Sequence, residues 1–192
     1  MLIGLTGPAF AGKDSVAEHL AKQSGFVVKA FADPIRDGLK AMFGLGDWHF
    51  MPENKETIIR WIGKSPRQLM QSLGTEWGRD LVARDIWLKH LEIRTRDLLE
   101  LKEGRVVITD IRMVNEAAMI HHLGGGLWRI VRPGQQTTPH ADHTTEQEQQ
   151  RLVPDLTLVN DGTLADLHQQ VDDALANLIT TLDARTKARR LA

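Results

Sequence analysis

The chain has 192 residues, of which 42% are hydrophobic and 26% charged, with a formal net charge of −1 and no cysteine. Those values suit one soluble domain with a substantial core. They exclude a disulfide framework and a thiolate metal site, and they give no basis for a nucleic-acid partner or an anionic membrane surface.

No apolar run approaches the ~18 residues of a membrane span. The N-terminus also lacks a basic stretch ahead of an apolar one, so no signal peptide is read there and a cytoplasmic protein is expected. In chain order, Leu2–Thr6 is a short apolar run, as in a strand buried on both faces. Residues 13–23 have helical spacing, with Val16, Ala17 and Leu20 inward. Phe26–Phe31 reads as a second strand. Asp33-Pro34 is a cap followed by proline at the first helical position, opening a helix to Phe43. Residues 44–64 carry mixed signals, with a short helix around 54–60. Ser65-Pro66 repeats the cap-plus-proline signal, so a helix should follow to about Trp77, and another spans roughly 84–101. Arg105–Thr109 is a strand, 113–123 a helix, Leu127–Val131 a fourth strand and Leu156–Val159 a fifth. Thr163 caps a last helix carrying Leu164, Leu167, Val171, Leu175, Leu178 and Leu182, with a frayed basic tail from Arg185. Alternation of this kind predicts an α/β fold, a parallel sheet flanked by helices.

GPAFAGK, residues 7–13, lies between the first strand and the first helix and matches GxxxxGK. Glycines at both ends let the backbone curl so that several N–H groups face one point. The helix start adds positive potential, and Lys13 adds a cation for β and γ phosphates. Asp14 stands where such loops carry Ser or Thr. A carboxylate about 4 Å from a phosphate charge costs on the order of 4 kcal/mol at surface-like dielectric. A divalent cation between them removes that cost, so Asp14 is a metal ligand or an outer-sphere partner of Mg²⁺. The other reading is that Ser15 supplies the usual hydroxyl one residue later.

Ligands of open α/β sheets bind at the carboxyl ends of the strands, so polar residues just after strands are candidates for a site. Arg36 lies in the first turn of its helix, where the dipole disfavours a cation; a substrate anion or plain solvation accounts for it. In the 66–79 helix, Leu69, Met70, Leu73 and Trp77 form an apolar face. Arg67, Gln71, Gly74, Thr75 and Gly78 form the other. Two helical glycines cost up to ~1 kcal/mol each, which a ligand or another backbone passing close would explain. Arg67 suits a phosphate there and Gln71 a base edge. Asp110, ending an apolar strand, has the form of a second metal-site carboxylate. Arg112 either pairs with it or grips a phosphate bidentately. Arg132, at the base of a polar flap reaching Glu148, suits a site that closes over ATP and expels water. His140 and His143 read as solvated rather than as metal ligands. Asn160-Asp161-Gly162 is a turn signal.

Six stretches, GPAFAGKDS, FADPIRDGLKAMFG, SPRQLMQSLGTEWGRD, VVITDIRMVNEA, WRIVRPGQ and LTLVNDGTLADL, together resemble the phage-type deoxynucleoside monophosphate kinases of the P-loop nucleoside-monophosphate kinase class. The resemblance runs from about residue 2 to 180, and Asp after the loop lysine is usual in that family. It implies a three-layer P-loop fold with a five-stranded parallel core, a helical substrate-binding insertion and a lid. The whole chain, 1–192, would be one kinase domain, with acceptor binding at about 36–102 and the lid at about 133–150. It implies Mg²⁺-assisted transfer of the ATP γ-phosphoryl to a deoxynucleoside 5′-monophosphate, giving the diphosphate. Carried over by position, Gly7, Ala11, Gly12, Lys13, Asp14 and Ser15 would hold ATP phosphates. Arg132 would lie on the lid side of ATP, and Asn160, Asp161 and Gly162 near adenine. Arg36, Arg67, Gln71 and Arg112 would face the acceptor, joined by His143 and Glu146. Lys13, Arg112 and Arg132 would be catalytic, and Asp14 and Asp110 would serve the metal. The setting would be a bacterial or phage-infected host cytoplasm; base preference is left open, as is the oligomeric state, a homodimer included. Other readings are a dephospho-coenzyme A kinase, with Asp33 as base, and a non-catalytic or regulatory NTP-binding protein.

Overall fold

The computed structural model describes residues 1–101, 104–134 and 148–191, the stretch 185–191 and residue 183 by backbone alone. The chain divides into two compact units: Met1–Val28 with Leu98–Ala192, and Lys29–Asp97.

The first unit is built on β1 (Leu2–Thr6), α1 (Lys13–Ser24), β2 (Val27–Lys29), β3 (Val106–Ile108), α5 (Val114–His122), β4 (Gly126–Val131), β5 (Leu156–Val159) and α6 (Leu164–Leu191). The sheet order is β2-β3-β1-β4-β5. β1 pairs in parallel with β3 and β4, and β4 in parallel with β5. Every residue of β1 and β3 is buried, as their unbroken apolar runs require of central strands. Successive strand residues face opposite sides of a sheet. Ile3 and Leu5 accordingly join Val16, Leu20, Leu167 and Val171 in the core under α1 and α6, which also holds Trp128. Gly4 faces the other way, where a Cβ would lie 2.9 Å from Ile120 of α5. Its missing side chain seats α5 against the strand, and the result is a three-layer α/β fold. At its lower edge Asp155 accepts hydrogen bonds from Leu127 N–H at 2.7 Å and from His121.

The second unit holds α2 (Asp33–Phe43), a 3₁₀ turn at Asp47–Phe50, α3 (Pro66–Gln71), a π-helix at Ser72–Val82 and most of α4 (Ile86–Glu100). Its core is Ile35, Leu39, Leu45 and Leu69, with Leu73 and Trp87 half-buried around it. Trp48, Trp61 and Trp77 also belong to this unit and are largely exposed.

Several elements differ from expectation. The second strand is three residues long rather than six, and Val27 and Val28 are about two-fifths exposed, as befits an edge strand. Residues 54–60 are not a helix: successive turns close at Asn54, Lys55 and Thr57, and Ile59 bridges Lys64. Asp33 does not cap α2, for Ala32 is the N-cap residue. The Asp33 carboxylate instead accepts a hydrogen bond from Ala30 N–H and pairs with Arg36. Ser65 does cap α3, accepting from Gln68 N–H, while the Gln68 side chain accepts from Ser65 N–H. The helix then widens instead of ending near Trp77. Wider turns rotate the buried stripe, so Trp77 is exposed while Gly74 and Gly78 are buried. The two glycines are explained from within the unit rather than by a ligand: a Cβ at Gly74 would meet Ile35 at 2.9 Å, and one at Gly78 would meet the Trp87 ring at 2.5 Å. That ring donates its Nε1–H to Gly74 O at 2.6 Å. The last helix continues to Leu191 rather than fraying from Arg185. Among the described residues no helix is long and apolar enough to cross a membrane.

Gly78→Ala is therefore expected to destabilise the protein by about 1–3 kcal/mol through overpacking. Urea unfolding followed by circular dichroism measures this, and an unshifted midpoint contradicts the packing assigned to Trp87.

Candidate functional site

The loop between β1 and α1 is shaped by close approach. Gly7 has φ 135° and Gly12 φ 113°, conformations that favour glycine. A Cβ on Gly7 would run into the Ile130 carbonyl of β4, and one on Gly12 would lie 2.8 Å from Asn160 Nδ2. Phe10, 77% exposed, also takes a positive φ of 61°. Ala11 is fully buried. Its carbonyl accepts from Asn160 Nδ2 at 2.9 Å, and Asn160 N–H donates to Val131 O. Asn160 thus links the loop to the end of the sheet, while Asp161 and Gly162 beside it are exposed. Past the turn, Thr163 and Asp166 cap α6 reciprocally.

Lys13 begins α1 and is buried. Its ammonium donates to Gly7 O at 2.9 Å and Pro8 O at 2.8 Å, and it lies 3.5 Å from Asp110 Oδ1. Burial pushes its pKa below the ordinary lysine value, and the Asp110 charge offsets part of that shift. Asp14, next along, is exposed, and Ser15 is half-buried.

Asp110 follows β3 with φ 61°. Its Oδ1 is also 3.7 Å from Arg112, so the pairing considered for these two residues is present; both are about half exposed, which leaves Arg112 accessible to an anion. The backbone carrying Arg112 is held by a residue the sequence reading passed over. Buried Glu116 accepts from Arg112 N–H at 2.8 Å and Met113 N–H at 3.1 Å. The signal was a Glu in the first turn of α5, hidden because Met113 precedes the helix where Ser or Thr usually announces such a cap. Gln149 was missed too, and its amide donates to Gly7 O and Ile111 O. Arg132 is exposed directly after β4. His143 and Glu146 lie outside the described residues, as do His140 and most of the expected flap.

In the second unit, Arg36 lines a cleft of about 380 Å³ with Lys29, Asp33, Lys40, Asp47 and Phe50. Asp33 satisfies Arg36 at 2.6 Å, so no substrate anion is needed to explain that cation. Lys40 pairs with Asp47 across the cleft wall. Arg67 is exposed and pairs with Glu56, also exposed; a pair so open to water contributes little to stability. Gln71 is exposed on α3.

Mg²⁺ shared with substrate phosphates takes one or two protein carboxylates and completes its shell with water and phosphate oxygens. Asp14 and Asp110, both reachable from solvent beside Lys13, fit such a donor set. Among the described residues no group of three or more His, Cys, Asp or Glu forms a metal cluster of its own.

Gly12→Ala combines a strained φ, costing on the order of 1–3 kcal/mol, with a collision against Asn160. Affinity for a non-hydrolysable ATP analogue should fall at least about tenfold. Titration calorimetry reads this directly, and wild-type affinity would show that the loop does not depend on the Gly12 conformation.

Residues 48–171 match the family described as deoxynucleotide monophosphate kinase. A putative deoxynucleotide monophosphate kinase of Acanthamoeba polyphaga mimivirus is 35% identical over 189 residues, covering 92% of this chain and 97% of the relative. The deoxynucleoside-5′-monophosphate kinase of Escherichia phage T5 is 35% identical over 107 residues, which is 53% of this chain and 42% of the phage protein. Among solved structures, a gluconokinase from Sinorhizobium meliloti 1021 superposes with TM-score 0.52 at 18% identity over 95% of each chain, which supports the three-layer fold. From the family match and the mimivirus relative together, the chain belongs to the deoxynucleotide monophosphate kinase family.

Proposed function

We propose that this protein transfers the γ-phosphoryl group of ATP to the phosphate of a deoxynucleoside 5′-monophosphate, releasing ADP and the deoxynucleoside diphosphate. The observation that carries the reading is the arrangement of Lys13, Asp110 and Arg112 beside a glycine-bent loop, with Asp110 Oδ1 3.5 Å from the lysine and 3.7 Å from the arginine. Family membership names the substrate class; this arrangement supplies the charges that the reaction requires.

Chemically the demand is modest. The acceptor phosphate is already ionised near neutral pH, so no general base is needed, and catalysis consists of alignment and charge neutralisation. Main-chain N–H groups of the loop and the start of α1 hold the triphosphate. Lys13, now bonded to Gly7 and Pro8 carbonyls, has only to rotate its ammonium to reach a phosphate. Arg112 grips the group in transfer, and Arg132 stands on the lid side of ATP. Asp14 and Asp110 would hold Mg²⁺, which when bound screens the phosphate charge. In the second unit, Arg36, Arg67 and Gln71 serve the acceptor, with the charged cleft between α2 and the 3₁₀ turn of a size that suits a small molecule. His143 and Glu146 belong to the same acceptor reading, and Asn160 to Gly162 to the adenine side. A cytoplasmic setting is the one that suits a small diffusing nucleotide as substrate.

One observation weighs against the dephospho-coenzyme A alternative. A ribose hydroxyl acceptor needs a base, and both oxygens of Asp33, the candidate, are engaged by Ala30 N–H and Arg36.

A coupled ADP-release assay over the four common deoxynucleoside monophosphates and dephospho-coenzyme A tests the proposal. Turnover with dephospho-coenzyme A alone would overturn it. Arg112→Ala should lower kcat about 100-fold with an unchanged circular dichroism spectrum, and equal turnover removes Arg112 from the transfer step. Asp14→Ala should raise the Mg²⁺ concentration needed for half-maximal rate; an unchanged Mg²⁺ dependence removes Asp14 from the metal site.

A further inference from the structure

The Gln149 side chain reaches two carbonyls at once. Its Nε2 lies 3.1 Å from Gly7 O and 3.4 Å from Ile111 O. Carbonyls only accept, so the NH₂ end of the amide must face them and the orientation of the side chain follows from chemistry. Gly7 is the first residue of the phosphate loop. Ile111 sits between Asp110 and Arg112. One amide therefore ties the loop after β1 to the turn after β3.

Three further observations give this tie a purpose. First, the Gly7 carbonyl also accepts from the Lys13 ammonium at 2.9 Å. A triphosphate that draws Lys13 away removes that donor, and Gln149 remains to satisfy the carbonyl. Second, the Asp110 turn is bent through a positive φ at a non-glycine residue, a conformation that persists only when its surroundings determine it. Glu116 fixes one side of the turn through Arg112 N–H. The Ile111 carbonyl, which accepts from both Thr6 Oγ1 at 2.7 Å and Gln149, fixes the other. Third, Gln149 is itself anchored. The Arg129 guanidinium donates to Gln149 O at 3.2 Å and to Leu152 O at 2.6 Å, and Arg129 lies opposite Thr6 in the β1–β4 register. The amide is thus referenced to the sheet that carries both loops.

We propose that Gln149 is a positioning residue for phosphoryl transfer: it sets the spacing between the phosphate loop and the Asp110–Arg112 turn without itself touching either nucleotide. The inference rests on the function proposed above. It assigns Gln149 an effect on the transfer step, where the loop lysine and Arg112 must act on one phosphoryl group together, and little effect on the binding of either substrate, where each acts alone.

Gln149→Met keeps the length and bulk of the side chain and removes both donors. Gln149→Glu sets an anion against two carbonyls. With wild-type enzyme turning over, Gln149→Met should lower kcat about tenfold or more, as small misplacements of reacting groups do. KM for ATP and for the acceptor should stay within about threefold. Gln149→Glu should lose more, about 100-fold, at similar KM. Hydrogen exchange of the ligand-free protein supplies a readout independent of turnover: amides in 7–13 and 110–113 should exchange faster in both variants, while those of β1 and α6 should not. An unchanged kcat in Gln149→Met overturns the inference. So does a rise in KM for ATP that accounts for the whole loss, or a lower melting temperature with full activity of the folded fraction. If the wild type phosphorylates none of the nucleotides offered, the proposed function fails instead. The tie then still stands or falls on the exchange data.

Discussion

A buried ammonium folded back onto its own loop organises the glycine-bent turn of the first unit. Lys13 is held by the carbonyls of Gly7 and Pro8 and by one half-exposed carboxylate. Partial charges on two carbonyls compensate a desolvated cation incompletely, which is why burial lowers its pKa despite Asp110. A phosphate oxygen is a better partner than either carbonyl. An anion held at the loop would draw the ammonium from those carbonyls, and the bends at Gly7 and Gly12 shape the loop beside it. Glycine stands at both bends because their positive φ favours it and because the Ile130 carbonyl and the Asn160 side chain leave no room for a Cβ. Charge and sterics act here as one constraint.

The second unit solves a different problem, building a core from short, irregular elements. Its helix after Ser65 widens into π turns where Ile35 packs at Gly74 and the Trp87 ring at Gly78, and the Trp87 bond to the Gly74 carbonyl secures the arrangement. Its cleft is lined by charges that already pair among themselves, Asp33 with Arg36 and Lys40 with Asp47. A small molecule entering this cleft would have to displace or join these pairs, so binding there would exchange partners rather than fill an empty socket.

What could be read from the sequence follows the range of the interactions involved. The five strands, the loop from Gly7 to Lys13 and the Ser65 cap were legible because each is written within a few consecutive residues. Asp33 misled although its partners are equally local, because its carboxylate turns to Ala30 N–H and to Arg36 instead of to the first N–H groups of the helix. The 66–82 segment misled because a period of 3.6 was assumed, and nothing local to it announces Ile35 and Trp87. Gln149 escaped notice for the same reason, whereas Glu116, only four residues from Arg112, was hidden by Met113 in the cap position. Both bond to backbone atoms around Asp110–Arg112, but a contact between Gln149 and Gly7, 142 positions apart, leaves no spacing pattern to find.

The tryptophans divide unevenly between the units: Trp128 is enclosed in the core of the first, while Trp48, Trp61, Trp77 and Trp87 all lie in the second. The chain contains no tyrosine. Its intrinsic fluorescence is therefore a natural two-colour label. Shielded Trp128 should emit toward the blue and exposed Trp48 and Trp61 toward the red, so selective quenching can follow each unit's unfolding or ligand response in the unmodified protein.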